Sequence, residues 1–346
     1  MRSVRGEQVR VTSSLTTALV PTTVALGNFD GVHQGHRQVI GQVLAQEWSP
    51  DRQIHSLEAQ AVGYGGGKLQ PTEPDGEALD WRPIYTTVVT FDPHPQEFFS
   101  GQPRTLLTPG AEKAEQLEAI GVDQLVLLPF DRDLAQLEPQ AFVEEILVRQ
   151  LQAKRISVGQ DFHFGRKRAG TAIDLQTIAA NYGIDTTIVP LYILQGERVS
   201  SSNIRQALTQ GNLETAHRLL GRSYSLSGTV VKGQQLGRTL GFPTANLQIS
   251  GDKFLPRWGV YSVWVDGLSL QSQPGVMNIG CRPTVLGDRP TVEVYLLDWS
   301  GDLYGQTLTV RLAHFLRPEA KFDSLDALKA QIQRDCEMAK SIISNK

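Results

Sequence analysis

Short apolar runs alternate with amphipathic stretches over roughly the first 190 residues. Val24-Ala25-Leu26, Thr87-Val88-Val89-Thr90-Phe91, Leu125-Val126-Leu127-Leu128, Ile156-Ser157-Val158 and Thr187-Ile188-Val189 are brief and aliphatic or β-branched, which predicts buried strands. Between them, residues 112–120 keep helical spacing and stop at Gly121, a helix C-cap. Residues 141–151 begin after Pro139 and bring Phe142, Ile146 and Leu147 to one helical face. Such alternation predicts βαβ units, and so a parallel, doubly wound sheet whose ligands lie beyond the carboxyl ends of its strands.

The pattern changes near residue 221. Glycine and proline now punctuate alternating runs at 227–231, 260–265, 275–279, 291–297 and 308–312. These predict antiparallel strands, and closing them into a β-barrel would remove their exposed edges. A C-terminal helix is expected over 325–341, capped by Ser324. The expected domains are 1–205, a helical linker at 206–220 interrupted at Gly211-Asn212, and 221–346. Residues 48–83 fit neither pattern. Rich in Gly, Pro and Asp, they read as a flexible insertion.

Composition narrows the choice of partner. The 346 residues carry a formal net charge of −3, so no basic field points to a nucleic acid. Cys281 and Cys336 lie far apart without metal-ligand spacing and read as free thiols of a reducing cytoplasm. Residues 11–29 are uncharged, but seven of them are Ser or Thr and no apolar run exceeds three, which excludes a signal or membrane segment. A soluble cytoplasmic protein acting on small molecules is expected, with a homo-oligomer left open.

Candidate chemistry sits where strands end. Gly27-Asn28-Phe29-Asp30-Gly31-Val32-His33-Gln34-Gly35-His36 follows the first strand and feeds a helix with apolar positions Val39, Ile40, Val43 and Leu44. That turn presents backbone N–H groups and a helix dipole, and two imidazoles aimed at one point suit the developing charge of a nucleoside triphosphate. Phe91-Asp92-Pro93-His94-Pro95 and Gly159-Gln160-Asp161-Phe162-His163-Phe164-Gly165 also follow strands. Arg198-Val199-Ser200-Ser201-Ser202-Asn203-Ile204-Arg205 puts hydroxyls at a helix N-terminus beside an arginine, a phosphate cradle. The barrel half carries Gly237-Arg238-Thr239-Leu240-Gly241-Phe242-Pro243-Thr244-Ala245-Asn246 and the strand Thr291-Val292-Glu293-Val294-Tyr295.

The Gly27 to His36 run resembles the first signature of the bacterial bifunctional riboflavin kinase/FAD synthetase family. Its His-x-Gly-His core is shared with the nucleotidyltransferase superfamily, class I aminoacyl-tRNA synthetases included. The Phe-Asp-Pro-His-Pro run and the Ser-Ser-Ser-Asn-Ile-Arg run are similar to further family signatures, with Ser202 where the family has Thr. The resemblance implies an α/β Rossmann-like nucleotidyltransferase domain in which an FMN phosphate oxygen attacks the α-phosphorus of ATP, releasing pyrophosphate. It implies His33 and His36 as catalytic groups. Gly27, Phe29, Asp30, Gly35, Ser200, Ser201, Ser202 and Arg205 would bind nucleotide and phosphate, with Asp161, Phe164, His94 and Arg317 at the flavin.

The run from Gly237 to Asn246 is similar to the riboflavin kinase motif. There the resemblance implies Gly237, Arg238 and Gly241 at the ATP phosphates and Thr244 and Asn246 as Mg2+ ligands. Glu293 would accept the proton of the riboflavin 5′-hydroxyl. Asn278-Ile279-Gly280-Cys281-Arg282-Pro283-Thr284, Tyr304-Gly305 and Arg317-Pro318-Glu319 fit as well, so the likeness covers nearly the whole chain outside 48–83 and the first ~20 residues. It implies conversion of riboflavin to FMN and of FMN to FAD, each with Mg-ATP. The alternative is a riboflavin kinase with an inactive N-terminal domain, supported by Ser202 and the insertion. A flavin-binding regulator would lack one of His33, His36, Thr244, Asn246 or Glu293, and all are present; a tRNA-linked ligase would leave the barrel signature unexplained.

Overall fold

The computed structural model describes residues 8–44, 83–233, 236–267, 269–282 and 289–344. The expected insertion at 48–83, Pro83 apart, lies outside the described residues, as do the Arg238 side chain and the Pro283-Thr284 end of the barrel run. The first half is a six-stranded parallel sheet: β1 (Arg10–Thr12), β2 (Thr22–Leu26), β3 (Tyr85–Asp92), β4 (Gln124–Pro129), β5 (Ala153–Gly159) and β6 (Asp185–Val189), in the order β1-β4-β3-β2-β5-β6. Both faces are covered. Val24 and Leu26 pack into one apolar cluster while Ala25 packs into another on the opposite side. The strands read as near-continuous apolar runs for that reason. From β2 the chain builds outward through β3 and β4, then returns to place β5 on the other side of β2. The carboxyl end of β2, where the order reverses, is the switch point at which such sheets bind ligands.

Helix α1 (Gln34–Gly41) starts directly above that point, and α2 (Pro95–Ser100) follows β3. Helix α3 (Gly110–Glu118) ends near Gly121, whose φ of 88° fits the C-cap expected there. The helix expected over 141–151 differs in kind. It opens as α4 (Pro139–Phe142) and continues over Val143–Gln150 as a π-helix, in which the Leu151 N–H bonds the Ile146 carbonyl at 3.0 Å. The buried positions Phe142, Ile146, Leu147 and Leu151 recur every four to five residues, and the wider turn keeps them on one face.

The second half is a closed antiparallel barrel of β7 (Ser225–Val231), β8 (Ala245–Ile249), β9 (Gly259–Gly267), β10 (Leu270–Arg282), β11 (Arg289–Leu296) and β12 (Thr307–Arg317). Strand β8 is additional to the five runs expected. Its alternation Ala-Asn-Leu-Gln-Ile is regular, but it begins inside the motif ending at Asn246. Helices α5 (Ser201–Gln210) and α6 (Leu213–Leu220) break at Gly211, as the sequence suggests, with Asn212 capping the second. Ile204, Leu208, Leu213 and Leu219 share one apolar cluster with barrel residues such as Leu226, Tyr261 and Val263. The connecting helices therefore belong to the barrel's own core. A last helix, α7 (Leu325–Ser344), is capped by the Ser324 hydroxyl and covers the barrel's outer face through Cys336 and Ala339. Among the described residues no helix is long and apolar enough to cross a membrane.

Candidate active sites

The turn after β2 is tightly wound. Phe29 and Val32 hold φ values of 46° and 40°, a left-handed backbone that non-glycine residues adopt at a cost and that clusters at functional sites. His33 is the N-cap of α1, its Nδ1 accepting the His36 N–H at 3.2 Å, and the two imidazoles stack with centroids 3.5 Å apart. A Cβ at Gly35 would stand 3.3 Å from the His33 ring, so the small residue between the histidines permits the stack. The Phe29 ring meets His36 edge-on at 5.3 Å. The His36 Nδ1 is buried and has no hydrogen-bond partner among the described residues.

Both rings are neutral at physiological pH. Burial lowers His33 to about 4 against a partial counter-effect of Asp30, and lowers His36 well below its ordinary value, with His33 adding to the effect. The rings therefore offer N–H donors, and a bound polyphosphate would have to raise their affinity for protons. His94, N-cap of α2, is likewise held at about 4, chiefly by burial and then by Arg104. Because the unfolded chain binds protons near pH 6.5 while the folded chain resists them, His33 and His94 contribute stability that is full above pH 6.5 and lost as pH falls toward 4. The double variant His33→Asn/His94→Asn keeps both caps, since asparagine is a good N-cap. Its melting temperature should fall less between pH 7 and pH 5 than the parent's; an identical fall in scanning calorimetry would contradict the assignment.

The carboxylate of Asp30 points inward. It accepts the Leu107 N–H at 2.7 Å and the Thr108 N–H at 3.3 Å, and pairs with the Arg205 guanidinium at 2.5 Å. Arg205 also donates to the Thr105 carbonyl at 2.7 Å, and the Ser201 hydroxyl donates to the Asp30 carbonyl at 2.7 Å. Ser200 caps α5 by accepting the Asn203 N–H. Of the expected phosphate cradle, only the Ser202 hydroxyl is exposed at the helix N-terminus. Asp30, Ser201 and Arg205 instead brace the β2 turn against the strand-like segment 105–108.

A cavity of about 280 Å³ opens beside this turn, lined among others by Asn28, Phe91, His94, Arg104 and Lys113. Lys113 was not legible as a site residue, although its place on the apolar face of α3, four residues before buried Leu117, is an anomaly that sequence periodicity exposes. Its Nζ donates to the Asn28 carbonyl at 2.9 Å, and burial lowers it to about 8. Phe91, Phe98, Phe99 and Phe130 form an edge-to-face group next to the cavity, and Phe99 remains largely exposed. Asp161, at the end of β5, is exposed and pairs with Arg198 at 2.5 Å. Phe164, expected at the flavin, packs inward. Its ring is buried between Phe142 and Phe162, and a Cβ on Gly170 would stand 2.7 Å from it.

On the barrel, Glu293 sits between the core residues Val292 and Val294, which turns it to the outer face. Asn246 and Asn278 are its cross-strand partners on either side, and the Thr244 hydroxyl donates to its Oε2 at 3.1 Å. At Gly237 any Cβ would collide with the Phe242 carbonyl, and the Phe242 N–H bonds the Gly237 carbonyl at 2.8 Å, so the motif folds into a tight loop ahead of β8. Gly241 adopts a φ of 89° within it. Arg317, expected at the flavin, is engaged within the barrel half. Its guanidinium holds Asp335 of α7 in a two-pronged pair at 2.8–3.1 Å and donates to the Pro318 carbonyl. It fastens the last helix to β12.

The family model for riboflavin kinase matches residues 220–343, and that for FAD synthetase matches 16–56 and 78–203. A bifunctional riboflavin kinase/FMN adenylyltransferase of Escherichia coli (strain K12) is 40% identical over 313 residues, 90% of either chain. Relatives of the same description from Pseudomonas fluorescens and Bacillus subtilis (strain 168) are 38% and 32% identical, covering 92% and 94% of this chain and 91% and 93% of their own. Among solved structures, a Streptococcus pneumoniae chain described as a macrolide-efflux protein superposes with a TM-score of 0.75 at 28% identity, covering 96% of this chain and 98% of that one.

Proposed function

Because the chain belongs to the bifunctional riboflavin kinase/FMN adenylyltransferase family, we propose that its two reactions are divided between the two constellations described above, with boundaries at 1–205, 206–220 and 221–346. The chain phosphorylates riboflavin to FMN and adenylylates FMN to FAD, consuming ATP in each step. In the N-terminal site an FMN phosphate oxygen, already anionic, attacks the α-phosphorus of ATP; the bond to the bridging oxygen breaks and pyrophosphate leaves. No protein nucleophile is needed, so positioning and charge stabilisation carry the catalysis. His33 and His36 donate N–H groups to the triphosphate, together with the backbone around Gly27, Phe29 and Gly35. Ser202 and the α5 N-terminus add further donors, while Asp30, Ser200, Ser201 and Arg205 keep the turn in shape. Lys113 and Arg104 draw the FMN phosphate into the 280 Å³ cavity, whose wall includes His94; His94 meets the flavin there, and Asp161, outside that lining, meets it from the end of β5.

In the barrel, the Glu293 carboxylate accepts the proton of the riboflavin 5′-hydroxyl while that oxygen attacks the γ-phosphorus and ADP departs. Gly237, Arg238 and Gly241 form the loop over the ATP phosphates. Thr244, Asn246 and Glu293 bring hydroxyl, amide and carboxylate oxygens together, a donor set that fits Mg2+ with several waters retained. When bound there, Mg2+ would neutralise charge on the phosphates. The observation that carries this half is the Thr244 to Glu293 contact at the mouth of the glycine-rich loop. We place both reactions in the cytoplasm, in keeping with a chain whose two cysteines, Cys281 and Cys336, lie far apart in sequence.

A time course with purified protein, riboflavin, ATP and Mg2+ tests the reading, the flavins being resolved by chromatography. FMN should rise first and then give way to FAD. FMN accumulating alone would leave a kinase with a silent N-terminal domain and direct attention to Ser202. Bound but unconverted flavin would point to a regulator.

A further inference from the structure

The loop after β8 leaves the barrel and joins the N-terminal domain. Leu106 and Lys253 form an isolated parallel bridge, in which the Leu106 N–H donates to the Asp252 carbonyl at 2.5 Å and the Phe254 N–H donates to the Leu106 carbonyl at 2.8 Å. Lys253 is buried; its Nζ donates to the Leu107 carbonyl at 2.8 Å and to the Glu112 carboxylate of α3, and lies 4.5 Å over the Tyr224 ring. The Phe254 ring packs 4.8 Å from the Arg205 guanidinium. Segment 105–107 is thus held by Asp30 and Arg205 on one side and by the barrel loop on the other. Gly251 and Asp252, as a result, share the wall of the 280 Å³ cavity with His94, Arg104 and Lys113.

We propose that the barrel domain supplies loop 250–254 as a wall of the FMN pocket of the adenylyltransferase, so that this site is complete only with the two domains docked. The inference rests on the N-terminal site being the adenylyltransferase. A buried ion pair such as Lys253 with Glu112 adds little net stability over an apolar pair. What it does here is fix one register of the loop against 105–107, and with it the distance between Gly251 and the cations that meet the FMN phosphate. Lys253 is a positioning residue, and Gly251 sets how much room the ligand has.

Gly251 offers a test that leaves the fold alone. A Cβ built there meets no heavy atom within 4 Å, and its φ lies outside the left-handed region. Gly251→Ala should change the KM for FMN in the adenylyl transfer less than about twofold, whereas Gly251→Trp should raise it at least tenfold. A fluorescence titration of FMN binding should shift in parallel, and riboflavin phosphorylation by the same preparation should stay within about twofold of the parent, as an internal control of folding. Parent protein that converts FMN to FAD secures the underlying reading separately, and its failure to do so would sink that reading whatever Gly251 does. Gly251→Trp with the parent's KM for FMN, or with only the KM for ATP raised, would overturn the proposal.

Discussion

His36→Ala should slow FMN adenylylation by about a thousandfold while leaving riboflavin phosphorylation within about twofold of the parent. Loss of a single preorganised donor to a developing anion is typically a 10²–10³ effect, and this ring does more than donate. It stacks on His33 at 3.5 Å and is held edge-on by Phe29, so its removal also frees the partner imidazole. The Nδ1 that finds no partner among the described residues is the sign that the pocket has been arranged for something other than its own stability. His36→Asn, which keeps a donor without the stack, should fall between the two. Separate assays of FMN to FAD and riboflavin to FMN on one preparation decide the matter. A folded variant that had lost both activities would mean that the reactions share a site.

Periodicity made the architecture legible because both halves bury what their patterns say they bury. Val24 and Ala25 enter opposite cores, as a sheet covered on both faces requires, and the barrel strands alternate core and outer residues. The motif runs led to the carboxyl ends of β2, β3 and β5 and to the outer face of β11. Sequence could not show how polar side chains divide between ligand and scaffold, because that depends on contacts distant in the chain. Arg205 reaches Asp30 across 175 residues and Arg317 reaches Asp335 on α7, pairings that no local spacing announces. Phe164 was ambiguous for a related reason: a ring two residues from another ring on a short strand faces core or solvent according to the element beneath it, here the helix bearing Phe142. The neutral state of His33 and His36 is set by burial, which a motif does not encode. Lys253 and Glu112 meet only because the two domains dock.

Glu293→Gln should lower FMN formation by about 10²–10⁴, the usual scale for losing a positioned general base, and leave FMN to FAD conversion close to the parent's. The substitution is nearly isosteric. Its amide oxygen can still accept the Thr244 hydroxyl, now at 3.1 Å, and the register with Asn246 and Asn278 is a backbone property that persists. What disappears is the capacity to take the 5′-hydroxyl proton, together with one anionic oxygen for Mg2+. Supplying FMN directly separates these losses from any damage to the other domain, since that reaction does not pass through the barrel's outer face. The two variants should also complement each other. With riboflavin and ATP, Glu293→Gln protein alone makes almost no FAD, and His36→Ala protein alone accumulates FMN. Mixed together they should form FAD after a lag that shortens as the concentration of His36→Ala protein rises, because FMN released by one molecule must reach the intact adenylyltransferase of another. If the mixture stayed at FMN while added FMN was still converted, the product of the barrel would be held where only its own chain can use it.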